Sequence, residues 1–587
     1  MRRIALRAEN VVATLALVGI AALPLGEIVS RNVFSRGIPG AASFASILTM
    51  FVGMLGAAIA AREGKLLTLA TGEYLPAGRV TAIAHAIAGT MGALVSTILE
   101  IGGWGFAMGL RDAGQLTALD LPEWIPSLVF PLAFGLIALR LAWRAGEHWG
   151  ARAVAAAGIA AGAWIATHSS LFADRPLWPW VVLLLSTGAL GMPIFALLGG
   201  LATFAFMTLG SPPLTMLLNA HDELTKATGL AAIPLFTLAG FLFAEGRSSE
   251  RLLRALRALV GWMPGGTAIA AATLCAFFTL LTGGSGITIL ALGGLLLPAM
   301  VKEGYKEKFS IGLLTASGSL GLLFPLSLPL LLYGIIASNI VSVRLEDLFI
   351  AGLLPGVLML GLLGVMGVRQ DRHRQEPRQG FTLAEAGTAI WGAKWELGLP
   401  VVILFLLIKG YATPVDCAPV AALYALIVQR FITRDLPSFG DIVRVTSDCI
   451  ALVGGVLIIL SVAAGLTNYL VNADTFATIN AWMTDHVHSK AVFLLSLNVF
   501  LLVVGSVMDI FSAIIVVVPL ILPLAKSFGV NPVHLGIIFI ANLELGFLHP
   551  PLGLNLLLAS VRFKKPDRKS TRLNSSHVSE SRMPSSA

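Results

Sequence analysis

The sequence predicts an all-α protein that crosses a membrane many times, with discontinuous helices and two re-entrant hairpins arranged as inverted repeats. Three observations predict it. Hydrophobic residues make up 56% of the 587 and charged residues only 12%, against about 25% charged in a soluble chain. Apolar runs long enough to span a bilayer, about 20 residues each, recur from Val11 to Ser560, with charges gathered in the short gaps. Such runs are helices rather than barrel strands, and about fifteen crossings or re-entrant pieces are expected. Finally, "IANLELGFLHPPLGLN" (540–555) places Asn, Glu, His and a Pro-Pro pair inside an otherwise lipid-compatible stretch, and has a distant echo upstream.

Residues 1–147 hold four apolar stretches, near 10–30, 41–61, 80–110 and 123–143. The basic-then-apolar start resembles a signal peptide, but its apolar part is long and no clear small-residue cleavage site follows. It is read as a retained first helix with the amino terminus inside. Arg2, Arg3 and Arg7 before the first stretch, Arg62, Lys65 and Arg79 after the second, and Arg140, Arg144 and Arg152 after the fourth place both ends of this unit in the cytoplasm. An Ala-rich fifth span, 151–171, lies in a linker (148–176) that carries the chain across to a second unit, 177–566. A linker of this kind is what fusing two membrane proteins with ends on opposite sides requires.

In the second unit an offset of 225 positions sets "TASGSLGLLFPLSLPL" (315–330) over the 540–555 stretch, matching Ala316/Ala541, Leu320/Leu545, Gly321/Gly546, Leu323/Leu548 and Pro325/Pro550; Pro298/Pro523 and Gly304/Gly529 share the offset. This is an internal repeat. The segment 266–301, interrupted by "TGGSG" (282–286), has basic residues on both flanks and reads as a hairpin entering from the cytoplasm. Its counterpart 491–525, interrupted by "GSVMD" (505–509), is flanked only by Lys490 and Lys526 and reads as one dipping in from outside, so the repeats are inverted.

A helix broken at membrane depth exposes backbone groups that lipid cannot satisfy, and it persists only beside protein or a wet cavity. Free N–H ends suit carboxylates and free carbonyl ends suit sodium. The polar side chains fall at the same places: Thr282 and Ser285 at the first tip, Ser317 and Ser319 before the first break, Ser506, Asp509 and Ser512 at the second tip, and Asn542 in register with Ser317. Neutral oxygens with one carboxylate describe a hard-cation site; the competing reading is helix-packing glue. The breaks themselves are assigned to Pro325, Pro550 and Pro551. Asp509 and Glu544 are ionisable groups at membrane depth, where function is the default reading. The alternatives are a cap on the helix starting near Ile510 for Asp509 and a buried pair serving stability for Glu544. His549 reads as a packing or hydrogen-bonding residue.

Several function classes fall away. The net charge of +8 follows from Lys and Arg in cytoplasmic loops and needs no nucleic acid. Cys275, Cys417 and Cys449 form no C-x-x-C and read as packing residues. No G-x-x-x-x-G-K-[ST] motif accompanies the spans, so an ion gradient rather than ATP hydrolysis is expected to drive transport. No catalytic residues and no cofactor are expected.

At this point the chain resembles the tripartite ATP-independent periplasmic (TRAP) transporters, with small and large membrane subunits fused. The large-subunit resemblance covers about 177–566, through "IPLFTLAGFLFAEG" (233–246), "PGGTAIA" (264–270), "FFTLLTGGSGITILALGGLLLPAMVKEGY" (277–305), "GAKWELGLPVVIL" (392–404) and "GVNPVHLGIIFIANLELGFLHPPLGLNLLLAS" (529–560). The small-subunit resemblance, over about 10–147, is looser and rests on "EIVSRNVF" (27–34), "GAAIAAREGKLLTL" (56–69) and "LDLPEWIPSLVFPLAFGLIALRL" (119–141).

The resemblance implies sodium-coupled import of an organic anion across the bacterial inner membrane. Candidate solutes are dicarboxylates, sialic acid, other sugar acids and keto acids. A separate periplasmic substrate-binding protein delivers the solute, and a transport domain slides as an elevator against a scaffold enlarged by the small subunit, within membrane lipid. It places Thr282, Gly283, Gly284, Ser285, Ser317, Gly318, Ser319, Asp509, Ser512 and Asn542 along the sodium and substrate positions, with Na+ expected at Ser285, Ser317 and Asn542. Leu326 departs from the pattern, standing where the family often has a second Pro. The competing functions are a sodium/dicarboxylate symporter that needs no binding protein, a membrane-embedded hydrolase using Asp509, Glu544 or His549, and a scaffold that transports nothing. Residues 567–587, "DRKSTRLNSSHVSESRMPSSA", resemble a conceptual translation of a sequencing-library adapter. The natural chain is expected to depart near Pro566 and to continue into another apolar helix.

Overall fold

The computed structural model describes residues 2–563, apart from 35, 70–77, 118–119, 147, 227–229, 372–379, 410, 414, 474–477, 479–480, 482, 484, 488, 509 and 550–552. Among the described residues 9 helices are long and apolar enough to cross a membrane by length and composition, and shorter apolar helices accompany them. The protein is a multi-pass, all-α membrane protein, as the run lengths predict.

The first unit is built from α1 (Arg2–Phe34), α2 (Ala41–Glu63), α3 (Arg79–Ala113) and α4 (Val129–Arg144), followed by α5 (Trp149–Thr167). Small residues set their separations, since close helix approach in lipid relies on side chains that take no room. On α5 a Cβ at Gly158 would lie 2.9 Å from the Thr90 carbonyl oxygen, and one at Gly162 2.5 Å from that of Leu94, which fixes α5 against α3. The arginines that mark the cytoplasmic side also tie it together. Arg140 reaches both oxygens of Glu9 at 2.7 and 2.8 Å, Arg62 joins at 3.1 Å, and Arg144 donates to the carbonyls of Ala61 and Arg62 at the end of α2.

The second unit uses α6 (Ile194–Thr208), α7 (Leu214–Lys226), α8 (Ala232–Glu245) and the long α15 (Phe439–Asn472) as its frame. α15 packs against α2, α6, α7 and α8, and so joins the two units. At its crossing with α2 a Cβ on Gly454 would stand 2.1 Å from the Gly56 carbonyl carbon, and one on Gly56 2.4 Å from the Ile450 oxygen. The backbones touch because neither position has a side chain. Lys65 closes the same seam with an ion pair to Asp448 at 2.8 Å. All three cysteines are buried and free, in keeping with packing roles.

The repeat is visible in the element boundaries. α9 (Gly266–Thr282) and α10 (Ser285–Lys302) correspond to α16 (Lys490–Val507) and α17 (Ile510–Ser527). α11 (Glu307–Ser317) and α12 (Leu328–Ser338) lie on either side of the first break, as α18 (Pro532–Gly546) and α19 (Leu554–Phe563) do at the second; α13 (Leu345–Asp371) and α14 (Cys417–Ile427) lie between the repeats. The matched glycines make the same crossing in both copies. A Cβ on Gly321 would sit 2.2 Å from the Ala276 oxygen of α9, and one on Gly546 2.7 Å from Gly505 of α16. Across the repeats the packing is reciprocal, with α12 against α17 and α19 against α10. Mutual exchange of this kind is what a two-fold relation between copies produces.

Candidate functional site

The tip of the first hairpin is built by glycine. Gly283 ends α9 at φ +69° and Gly284 is extended, which reverses the chain before Ser285 starts α10. The reversal is tight enough for Thr279 Oγ1 and Thr288 Oγ1 to lie 2.8 Å apart, whereas nine residues along one continuous helix would separate them by about 13 Å. Thr279 Oγ1 also lies 2.6 Å from the Gly318 carbonyl oxygen and donates to it. This carbonyl belongs to the first break, where α11 has ended and Leu320–Leu323 forms a single 3-10 turn. A hydroxyl on the hairpin thereby holds one of the carbonyls that the helix interruption leaves without a helical partner.

The second break reaches the same place. Asn555, fully buried near the start of α19, accepts a hydrogen bond from Ser285 Oγ at 2.8 Å and aims Nδ2 at the Thr315 oxygen, 3.5 Å away. Its backbone N–H bonds the Phe547 oxygen at 3.2 Å, spanning the break, and Gly553 turns the chain at φ +52°. One hairpin tip and both broken helices therefore meet through Thr279, Ser285 and Asn555. The cluster offers hydroxyl, amide and carbonyl oxygens with no charge of its own, a donor set suited to a small hard cation or to the polar edge of an anion.

The other expected residues are placed as follows. Thr282 and Ser317 are buried and back-bond to the carbonyls of Phe278 and Leu313, and Ser319 bonds that of Ala316. Ser506 and Ser512 are buried at the second hairpin, Ser506 donating to the Val503 oxygen. Asn542 is drawn elsewhere: its Nδ2 donates to Asn498 Oδ1 at 2.5 Å and to the Ile538 oxygen, at the edge of a groove of about 690 Å³ that also touches α13. Both Glu544 oxygens are buried without a hydrogen-bond partner among the described residues. His549 is exposed and is engaged by a neighbouring group. Asp509, Pro550 and Pro551 lie outside the described residues, while Pro325 lies in the first break as expected. Leu326, beside it, has φ +72°. Proline is locked near −65°, so a second Pro is incompatible with this backbone.

Thr279, Thr288 and Asn555 are the residues sequence reasoning missed. The offset of 225 gave no help, because it sets Thr279 over Val504 and Thr288 over Ala513. Asn555 stood at the end of the quoted stretch, but its partner Ser285 is 270 residues away.

The family models settle the class. The model of the tripartite ATP-independent periplasmic transporter DctM component matches residues 179–571, and that of the DctQ component matches 20–151. The chain belongs to the TRAP transporter family. Like the isethionate TRAP transporter permease protein DctMQ of Oleidesulfovibrio alaskensis, it carries both components, and it is 34% identical to that protein over 462 residues, 76% of this chain and 70% of that one. It is 32% identical over 390 residues to the C4-dicarboxylate TRAP transporter large permease protein DctM of Rhodobacter capsulatus, 64% of this chain and 88% of the relative. It is 30% identical over 352 residues to the ectoine/5-hydroxyectoine TRAP transporter large permease protein UehC of Ruegeria pomeroyi, 58% and 79% respectively. TRAP membership makes this a multi-pass protein of the bacterial inner membrane and a secondary transporter of organic anions. Within that family the Thr279–Ser285–Asn555 meeting point is the candidate transport site.

Proposed function

We propose that this TRAP permease imports an organic anion, a carboxylate or sugar acid, together with sodium, after a periplasmic substrate-binding protein has delivered it. The observation that carries this reading is the bonding of one hairpin tip to both helix breaks, Thr279 to Gly318 and Ser285 to Asn555. Neutral oxygens from four chain segments converge there, and the start of α10 presents N–H groups at the same tip. Sodium would be held by oxygens of Ser285, Thr315, Gly318 and Asn555, and the carboxylate by the helix start beside Gly284. Positive charge brought by sodium offsets the cost of moving an anion through a low-dielectric path, which couples the two. The hairpins and broken helices would move as one body against the frame of α6, α7, α8 and α15, which the first unit enlarges. The named relatives carry isethionate, C4-dicarboxylates and ectoines, and these support a carboxylate- or sulfonate-sized solute without choosing one.

The test is reconstitution in vesicles with the cognate periplasmic binding protein, sought by sequencing the neighbouring genes and loaded with its own ligand. Uptake that needs both an inward sodium gradient and the loaded binding protein supports the proposal. Uptake of free ligand without the binding protein favours a self-sufficient symporter, and uptake indifferent to sodium removes the coupling assignment.

A further inference from the structure

Outside the transport site, two short helices lie side by side at the end of the molecule marked cytoplasmic by its basic residues. Ser248–Val260 turns Leu252, Leu253 and Ala255 into the core, and Leu383–Gly392 does the same with Ala386 and Ala389. Large apolar side chains are exposed on and just beyond them: Trp262 is 47% exposed, Phe381 46%, Leu383 79% and Trp391 71%. Aromatic side chains concentrated at such a level are the anchors of a membrane–water interface. The Trp262 and Phe381 rings lie 6.0 Å apart, centre to centre, and both line a cavity of about 340 Å³ that Leu295 of hairpin arm α10 also lines.

The cavity is lined by charges of both signs. Arg251, nearby, is fully engaged with Glu396 and Asp435, each at 2.7 Å, and Arg257 pairs with Glu303 of the hairpin. Arg254, Glu250 and Glu385 line the same cavity, and the side chains of all three are free of hydrogen bonds and ion pairs among the described residues. A guanidinium that shares a cavity with two uncommitted carboxylates complements a group that has a phosphate beside a primary ammonium. An anionic headgroup without the ammonium would meet Glu250 and Glu385 uncompensated. The volume holds a headgroup, and the exposed aromatic rim lies where acyl chains would continue.

We propose that this cavity binds a cytoplasmic-leaflet phospholipid with a phosphoethanolamine headgroup, its phosphate on Arg254 and its ammonium between Glu250 and Glu385, wedged between the amphipathic helices and the first hairpin. The full chain in mixed phosphatidylethanolamine and phosphatidylglycerol vesicles, extracted and weighed by native mass spectrometry, tests it. Wild type should retain phosphatidylethanolamine over phosphatidylglycerol by about tenfold, the scale of one charge-assisted hydrogen bond. The double change Glu250→Gln with Glu385→Gln should abolish that preference, whereas Arg254→Glu should cut retention of both lipids about tenfold and Arg254→Lys should keep most of it, with unchanged unfolding temperatures because all three residues are exposed. Equal retention of both lipids by wild type, a preference for phosphatidylglycerol, or a preference that survives loss of both carboxylates would each overturn the proposal.

Discussion

Ser285 donates its hydroxyl hydrogen to Asn555 across 2.8 Å, joining the first hairpin tip to the helix that follows the second break. Both side chains are buried, so removing one partner leaves the other unsatisfied at a cost of about 1–3 kcal/mol. Ser285→Ala and Asn555→Leu should each lower the unfolding free energy by that amount and cut uptake at least about tenfold. The double variant should lose less than the sum, because the pair is one interaction; strict additivity of the two losses would show that they do not act together.

Thr279 bonds both Thr288 and the Gly318 carbonyl. Thr279→Val keeps the shape and removes the donor, and should reduce uptake more than it reduces stability. Thr279→Ser should restore most of the transport. Uptake rates alongside thermal unfolding of the purified chain separate the two effects, and a Val variant that transports normally removes Thr279 from the site.

Leu326 holds φ +72° in the first break, a left-handed conformation that costs a side-chain-bearing residue about 1–2 kcal/mol. Leu326→Gly should raise the unfolding temperature if the lost packing of one leucine is smaller than the strain relieved, and Leu326→Pro should prevent folding outright. Expression and monodispersity in detergent read out both.

A Cβ on Gly454 would lie 2.1 Å from the α2 backbone at Gly56. Gly454→Leu has no flexible neighbour to displace, so its cost should exceed the about 1–3 kcal/mol of ordinary overpacking. It should separate the first unit from the second, which limited proteolysis between residues 148 and 176 would report as release of an N-terminal fragment.

Glu223 lies on the polar helix α7 and accepts from Asn339 at 3.4 Å. Burial, the dominant cause, raises its pKa to about 7, opposed by that hydrogen bond. A carboxyl whose folded pKa is raised binds its proton more tightly when folded, so its contribution to stability is complete below the ordinary value near 4.5 and is lost as the pH rises towards 7. Unfolding temperatures should fall across that window in wild type and fall less in Glu223→Gln.

Mean hydropathy, run length and the 225-residue echo were enough to determine a polytopic helical membrane protein and where its hairpin helices turn, because bilayer thickness and unsatisfied peptide groups act on every local stretch alike. The hairpin boundaries around Gly283 and Val507 were legible for that reason. What the tertiary structure alone decided is which polar groups meet. Ser285 found Asn555 rather than Asn542, Asn542 found Asn498, and Thr279 took the Gly318 carbonyl. Hydrogen bonds need atoms within about 3 Å, and for residues 270 apart in the chain that proximity is set by how the two repeats pack, which no local pattern records.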